Sequence, residues 1–358
     1  MNRILLIITV ILILFFTSAF AQNWSLIHDF GSRLGGCYSI CFVDTLIGYR
    51  ATMLRINNMY RSEDGGHTFD RVNLNLPRNT IYEIHFLNPD IGFIADYTIN
   101  ATFDGGDNWE MVANLWDYDC AINDMFFIND TVGWAVGGIT YIAPDTSGYS
   151  NHIILQTIDG GINWEVQLYE HNLREGAPFT EVAFSDADHG LAVGNQWSFY
   201  RTEDGGENWD VLEKPDIMRY GNSIQPMDAV VHIVEETFLV GGRGWDQNDN
   251  YGAFIYRTTD LGNNWELMAD SVGSASIFFV DTLNGWSCNS LGIFKTEDGG
   301  VNWEEEYRPE GDDIISFTEL FFLDRNNGWA VTFNWDVYRY RGAGQWTPDG
   351  NPGDLPLF

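Results

Sequence analysis

Basic residues are scarce in this chain. Eighteen lysines and arginines stand against 51 aspartates and glutamates over 358 residues, a formal charge of −33. So negative a surface repels phosphate backbones and anionic bilayers, which excludes nucleic acid and disfavours membrane surfaces as partners. It leaves solubility itself, cations, basic partners and neutral sugars. Cysteines are few as well, and Cys37, Cys41, Cys120 and Cys288 lack the spacing of a zinc site. An oxidising compartment would permit disulfides among them, in pairings the sequence does not choose. No Gly-x-Ser-x-Gly elbow, His-Glu-x-x-His helix or phosphate loop occurs, and the seven histidines are isolated. No metal or cofactor is expected.

Long apolar runs are also missing after the first residues. Ile4–Phe16 is apolar except for Thr9 and follows Arg3. It falls short of the ~20 residues that a membrane span needs. Ala19 and Ala21 then give the small-x-small pattern that signal peptidase accepts. Residues 1–21 are expected to form a cleaved signal peptide, with an uncleaved anchor as the alternative. No Cys stands at the cut, so a lipid anchor is not indicated. The mature chain is expected to be secreted or periplasmic, without a membrane span.

What abounds is aromatic residues, 15% of the chain, and 37 glycines that recur at fixed places. One unit reads Thr/Ser-x-Asp-Gly-Gly-x-x-Trp. Its aspartates are Asp64, Asp104, Asp159, Asp204, Asp260 and Asp298, each five positions before Phe69, Trp109, Trp164, Trp209, Trp265 or Trp303. In the fifth copy Leu261 replaces the first Gly. A second unit, Phe-x-Asp/Asn-x-x-x-Gly, begins at Phe42, Phe86, Phe127, Phe184, Phe279 and Phe322, with a degenerate copy at Ile233 to Gly241. Cys41 and Cys288 fall at core positions of these repeats and read as buried thiols.

Each unit is a β-turn. Asp hydrogen-bonds the backbone that follows it, and Gly adopts positive φ without a Cβ clash. Flanks such as Phe254-Ile255-Tyr256-Arg257 alternate as strands do. Two turns per module give four strands, and a period of about 45 residues is that of a propeller blade. The fold class is therefore all-β, a seven-bladed β-propeller over residues 22–346 followed by a Pro/Gly-rich tail at 347–358. The last module has no good fourth strand, whereas Asn23-Trp24-Ser25 matches the start of one, as in Asn163-Trp164-Glu165. The N-terminal strand is expected to close the ring and remove a sheet edge.

The first unit resembles the Asp-box, or bacterial neuraminidase repeat. Its alternation with the second unit is most similar to the photosystem II assembly and stability factor family of seven-bladed propellers, over residues 23–346. Sortilin ectodomains and xyloglucanase propellers carry related repeats. The resemblance implies a non-enzymatic assembly helper that binds a protein. Photosynthetic members bear a basic arginine patch, whereas the arginines here are scattered, so the implied partner is a protein or peptide without a photosystem assignment.

The alternative is a carbohydrate-active enzyme or glycan binder. A sialidase needs an Arg-Ile-Pro segment, and Arg55-Ile56-Asn57 lacks the Pro. A xyloglucanase needs a cleft between two propellers. The pairs Asp117/Asp119, Glu235/Glu236 and Asp312/Asp313 arise readily among so many acids, and no catalytic residue is assigned. The loop Asp246-Gln247-Asn248-Asp249-Asn250 offers oxygens for calcium but lacks the Gly and Glu of an EF-hand loop.

The two repeated turns share one face. Long insertions fall on the other, at Ala113–Ile122, Gly137–His152, Gln167–Thr180, Leu212–Asp228 and Gly241–Tyr251. They carry Trp116, Tyr118, Tyr141, Tyr149, Tyr169, Arg174, Arg219, Tyr220, Arg243 and Trp245. Irregular loops on a rigid scaffold are where binding concentrates, and aromatics with a few arginines suit a peptide or glycan. Packing of the loops on themselves is the other reading of the same residues.

Overall fold

The structure, a computed structural model, describes residues 23–29, 37–52, 59–74, 76, 80–142, 148–173, 178–194, 198–213, 227–245, 251–270, 272, 275–309 and 315–342. The expected signal peptide, the tail, the loop at 246–250 and Arg174, Arg219 and Tyr220 lie outside the described residues.

The strands form seven four-stranded antiparallel sheets. Strand β1 (Trp24–His28) stands apart from its sheet in sequence. Blade 1 holds β2 (Cys37–Phe42), β3 (Gly48–Thr52), β4 (Met59–Ser62) and β5 (Asp70–Arg71). Blade 2 holds β6 (Glu83–Phe86), β7 (Gly92–Ala95), β8 (Thr98–Thr102) and β9 (Glu110–Asn114). Blade 3 has the long strands β10 (Ala121–Phe127), β11 (Gly133–Ile142), β12 (Gly148–Thr157) and β13 (Glu165–Leu173). Blade 4 holds β14 (Phe179–Phe184), β15 (Gly190–Gly194), β16 (Phe199–Thr202) and β17 (Asp210–Val211). Blade 5 holds β18 (Met227–Val234), β19 (Thr237–Trp245), β20 (Tyr251–Thr258) and β21 (Glu266–Asp270). Blade 6 holds β22 (Ser276–Phe279), β23 (Gly285–Cys288), β24 (Ile293–Thr296) and β25 (Glu304–Tyr307). Blade 7 is β26 (Phe317–Asp324), β27 (Asn327–Thr332) and β28 (Val337–Arg341), with β1 paired to β28 as its outer strand. The N-terminal strand thus closes the ring.

Burial follows from this arrangement. The first strands of successive blades touch one another around the axis. Second strands such as β3 and β15 are buried at every residue because neighbouring blades cover both faces. The outer strands β5 and β17 are exposed.

The second repeat unit makes the seams. Its Phe stacks on the aromatic after the Gly of the preceding blade: Tyr49 on Phe86 at 4.5 Å, Trp134 on Phe184 at 3.4 Å, Trp286 on Phe322 at 4.0 Å and Trp329 on Phe42 at 3.7 Å. The Gly is required by its own Phe, since a Cβ on Gly48 would lie 2.3 Å from the Phe42 ring. In blade 5 the turn is tighter. His232 pairs with Phe238 across it, and Glu235 takes φ 50°.

The Asp-Gly-Gly turns are built alike. In the third copy Asp159 Oδ1 accepts the Asn163 N–H at 2.9 Å, and Oδ2 accepts from Asn163 Nδ2 at 2.7 Å. Thr157 Oγ1 donates to Asp159 and accepts the Gly161 N–H. The turn then clamps the other unit, with Gly160 N–H donating to Thr131 O at 2.8 Å. The same clamp recurs in blades 1 to 6. These hydrogen bonds hold the Asp159 carboxyl below its ordinary value.

Two buried arginines cross the seam between blades 7 and 1. Arg50 of blade 1 donates to Trp335 O, and its guanidinium lies 4.2 Å from the Phe69 ring centroid. Arg339 of blade 7 donates to Thr45 O and Gly65 O and covers Trp329. Burial pulls both guanidinium groups down to about 10. All four cysteines are free and buried, and burial pushes the thiols of Cys37, Cys41 and Cys120 up to about 12.

Candidate partner-binding rim

Connectivity puts the loops between second and third strands, and between fourth and next first strands, on the face opposite the Asp-Gly-Gly turns. Blade 3 rises furthest there. Its β11 and β12 are ten residues each, against four or five in blade 2. The surplus turns lift aromatic residues off the ring.

Trp116 opens a short 3₁₀ turn (Trp116–Tyr118) that leaves blade 2. Its indole stacks flat on Tyr97 at 4.5 Å and 8°, yet remains 55% exposed. The pair is fixed from below. Buried Leu115 donates its N–H to Tyr97 O, and Asn114 Oδ1 accepts the Trp116 N–H. Tyr118 meets Tyr169 edge to face, and Tyr169 Oη donates to Tyr118 O at 3.0 Å. His171 stacks on Tyr169. At the tip of blade 3, Tyr141 and Tyr149 face each other across β11 and β12 at 5.2 Å, with Tyr141 47% exposed. Ordered rings like these lose little freedom when they bind.

A polar staple lies beneath. Glu170 Oε2 accepts from Tyr200 Oη and is 3.0 Å from buried His152 Nε2, joining blades 3 and 4. His152 also stacks on Phe179 at 4.8 Å.

The remaining expected residues lie elsewhere. Arg243 is on blade 5 and is held by Asp228 through bonds of 2.7 and 3.1 Å, so its guanidinium is engaged within its own blade. Trp245 ends β19, and its side chain is not among those described. The structure thus stacks Trp116 on Tyr97 beside blade 2, joins Tyr118 to Tyr169 of blade 3, pairs Tyr141 with Tyr149, and places Arg243 on blade 5. Sequence reasoning missed Tyr97 and His171. Tyr97 sits in a tight turn of a regular blade, where no added length marks it.

Among the described residues no group of three or more His, Cys, Asp or Glu side chains is placed to hold a metal ion. No described helix is long and apolar enough to cross a membrane.

No protein-family model matches the chain. Part of it, 131 residues, is 28% identical to the photosystem II assembly lipoprotein Ycf48 of Synechococcus sp. (strain CC9902), covering 35% of each chain. The matched stretch thus spans about a third of that relative. Among solved structures, Ycf48 bound to D1 peptide has TM-score 0.64 at 16% identity, covering 90% of this chain and 96% of that one. Ycf48 from Cyanidioschyzon merolae has TM-score 0.62 at 13% identity, covering 89% and 98%. An ancestral GH74 enzyme has TM-score 0.64 at 15% identity, covering 88% of this chain and 46% of the enzyme. At these identities the structural likenesses carry the fold. The chain is similar to Ycf48 in part of its sequence and across nearly all of its propeller.

Proposed function

We propose that this chain is an extracytoplasmic, non-enzymatic propeller that binds a polypeptide segment of a partner and assists its assembly. The observation that carries this reading is the ordered, exposed stack of Trp116 on Tyr97 at blade 2, together with the Tyr141–Tyr149 pair on blade 3. Exposed rings fixed by backbone bonds are what a hot spot for a peptide requires. The likeness to Ycf48, a structure of which holds a D1 peptide, supports the same reading. So does the location implied by the apolar N-terminus.

The test uses the mature chain as bait, with cross-linking and mass spectrometry of what it holds. Capture of one defined polypeptide, lost with Trp116→Ala plus Tyr141→Ala, supports the proposal. Turnover of a chromogenic glycoside, or saturable oligosaccharide binding with no polypeptide captured, contradicts it and favours the carbohydrate reading.

A further inference from the structure

On the axis the first strands surround a cavity of about 340 Å³. Glu83, Asp124, Glu181 and Glu319 line it, and among the described residues no lysine or arginine does. These residues occupy one equivalent position, three before the repeat Phe, which in blades 1 and 6 holds Ser39 and Ser276. We propose that this ring is a proton-operated clasp. It stabilises the ring of inner strands while its carboxyls hold protons, and that contribution is lost when all are ionised.

The inner edge of each blade has backbone N–H groups that no neighbouring strand can accept. The ring accepts several of them from the following blade. Ser39 Oγ takes the Ile84 N–H at 3.1 Å, and Asp124 Oδ2 takes that of Val182 at 2.9 Å. Glu181 Oε2 takes that of Val230 at 2.8 Å, and Ser276 Oγ that of Leu320 at 3.3 Å. Glu319 accepts from Ile40. The bonds run around the channel from blade to blade.

A hydroxyl suffices for this bond at Ser39 and Ser276. Carboxyls at four other positions therefore add something that edge-capping does not need. They add like charges that line one common channel. Glu319 Oε2 is buried there with no partner, which a protonated carboxyl would tolerate better than an anion.

The surrounding groups do not neutralise the ring. On the inner strands, His85 lines the cavity, but burial lowers it to about 4 and its ring stacks on Phe127. Asp228 on β18 is engaged by Arg243 of β19. The thiols of Cys37 and Cys41 on β2, and Cys288 on β23, are held neutral by burial. Arg50 of β3 reaches Trp335 O in blade 7. Burial first, and the neighbouring carboxylates second, push Glu83 up, and burial then repulsion do the same for Glu181 and Glu319. Asp124 is raised to about 6 by burial.

The sign follows. A carboxyl raised in the folded state binds more protons folded than unfolded. Its contribution is full below the unfolded value of about 4 and is lost as pH rises through the folded one. For Asp124 that window ends near 6, and the three glutamates, raised as well, lose their contribution in the same direction as pH rises.

The experiment is urea unfolding of the full chain from pH 5.5 to 8.5. It compares wild type, the ring variant Glu181→Gln/Glu319→Gln and the surface control Glu110→Gln/Glu266→Gln, at low and high salt. Gln keeps the accepting oxygen and removes the charge. Wild type should take up about one or more protons on folding near neutral pH, from the slope of stability against pH. The ring variant should take up about one fewer and unfold about tenfold less readily at pH 8, while the control matches wild type. Salt should shrink the difference only in part, since carboxyls set inside the channel are screened less than those on the outer surface. Asp124→Asn carries the same expectation should the double variant not fold. Equal slopes in ring variant and control, or wild-type stability that rises with pH across this range, would overturn the proposal.

Discussion

Replacing Trp24 by Ala tests ring closure where one side chain bears most of it. Trp24 is 1% exposed and lies on β1, far in sequence from everything it touches. Its ring meets Phe322 edge-on at 5.8 Å and Tyr340 at 5.2 Å, both in blade 7. Its indole N–H donates to Glu306 Oε2 at 3.1 Å, in blade 6. Emptying such a site costs about 3–5 kcal/mol, the range for Trp or Phe to Ala in a core. Trp24→Phe keeps most of the apolar contact and loses only the bond to a carboxylate, about 1–2 kcal/mol, because Trp286 also donates to that oxygen. The total stability of a domain is about 5–15 kcal/mol, so Trp24→Ala removes a large share. Urea unfolding followed by circular dichroism reads both variants. Trp24→Ala should move the midpoint far more than Trp24→Phe, and should promote aggregation through the freed edge of β28. An unchanged midpoint for Trp24→Ala, with the chain still monomeric, would refute closure by β1.

Asp159→Ala removes the acceptor of two bonds from Asn163 and should cost about 1–2 kcal/mol in the same assay without changing partner capture. Gly48→Ala drives a methyl into the Phe42 ring and should cost about 1–3 kcal/mol or more, with Phe42→Ala partly relieving it in a double-mutant cycle. The turn aspartates give acid sensitivity of opposite sign to the channel. Hydrogen bonds hold Asp104, Asp159 and Asp204 low, so their contribution stands above the unfolded value of about 4 and is lost as pH falls through the folded one. Thermal melting should therefore be highest at mildly acidic pH and fall on both sides.

The blades were legible because each repeated residue has one local task. Asp159 ties its own turn, and Gly48 makes room for Phe42 in its own hairpin. Such tasks leave the same letters at the same spacing in every module. Ring closure was legible for a related reason: Asn23-Trp24 repeats the letters that start an outer strand elsewhere. The candidate rim stood out in the sequence only as excess loop length. Length marked Trp116 and Tyr141 but said nothing of Tyr97, whose role depends on a stack across two loops of blade 2. Arg243 shows what its type alone does not reveal. Its chemistry suggested a free hot spot, while Asp228, fifteen residues earlier on the adjacent strand, engages it. The channel carboxyls were hidden because a single acid in an apolar strand stands out only when modules are superposed on their Phe.

The most direct test of the account places a photo-crosslinking amino acid at Tyr141, on the tip of blade 3, or at Glu297, on the opposite face, in the mature chain. Crosslinks at position 141 to a single polypeptide segment are expected, with none at 297. Trp116→Ala should weaken binding of that segment about tenfold or more, on the order of 1.4 kcal/mol. Crosslinks at 297 and none at 141, or binding indifferent to Trp116→Ala, would place the partner away from the aromatic rim and contradict the account.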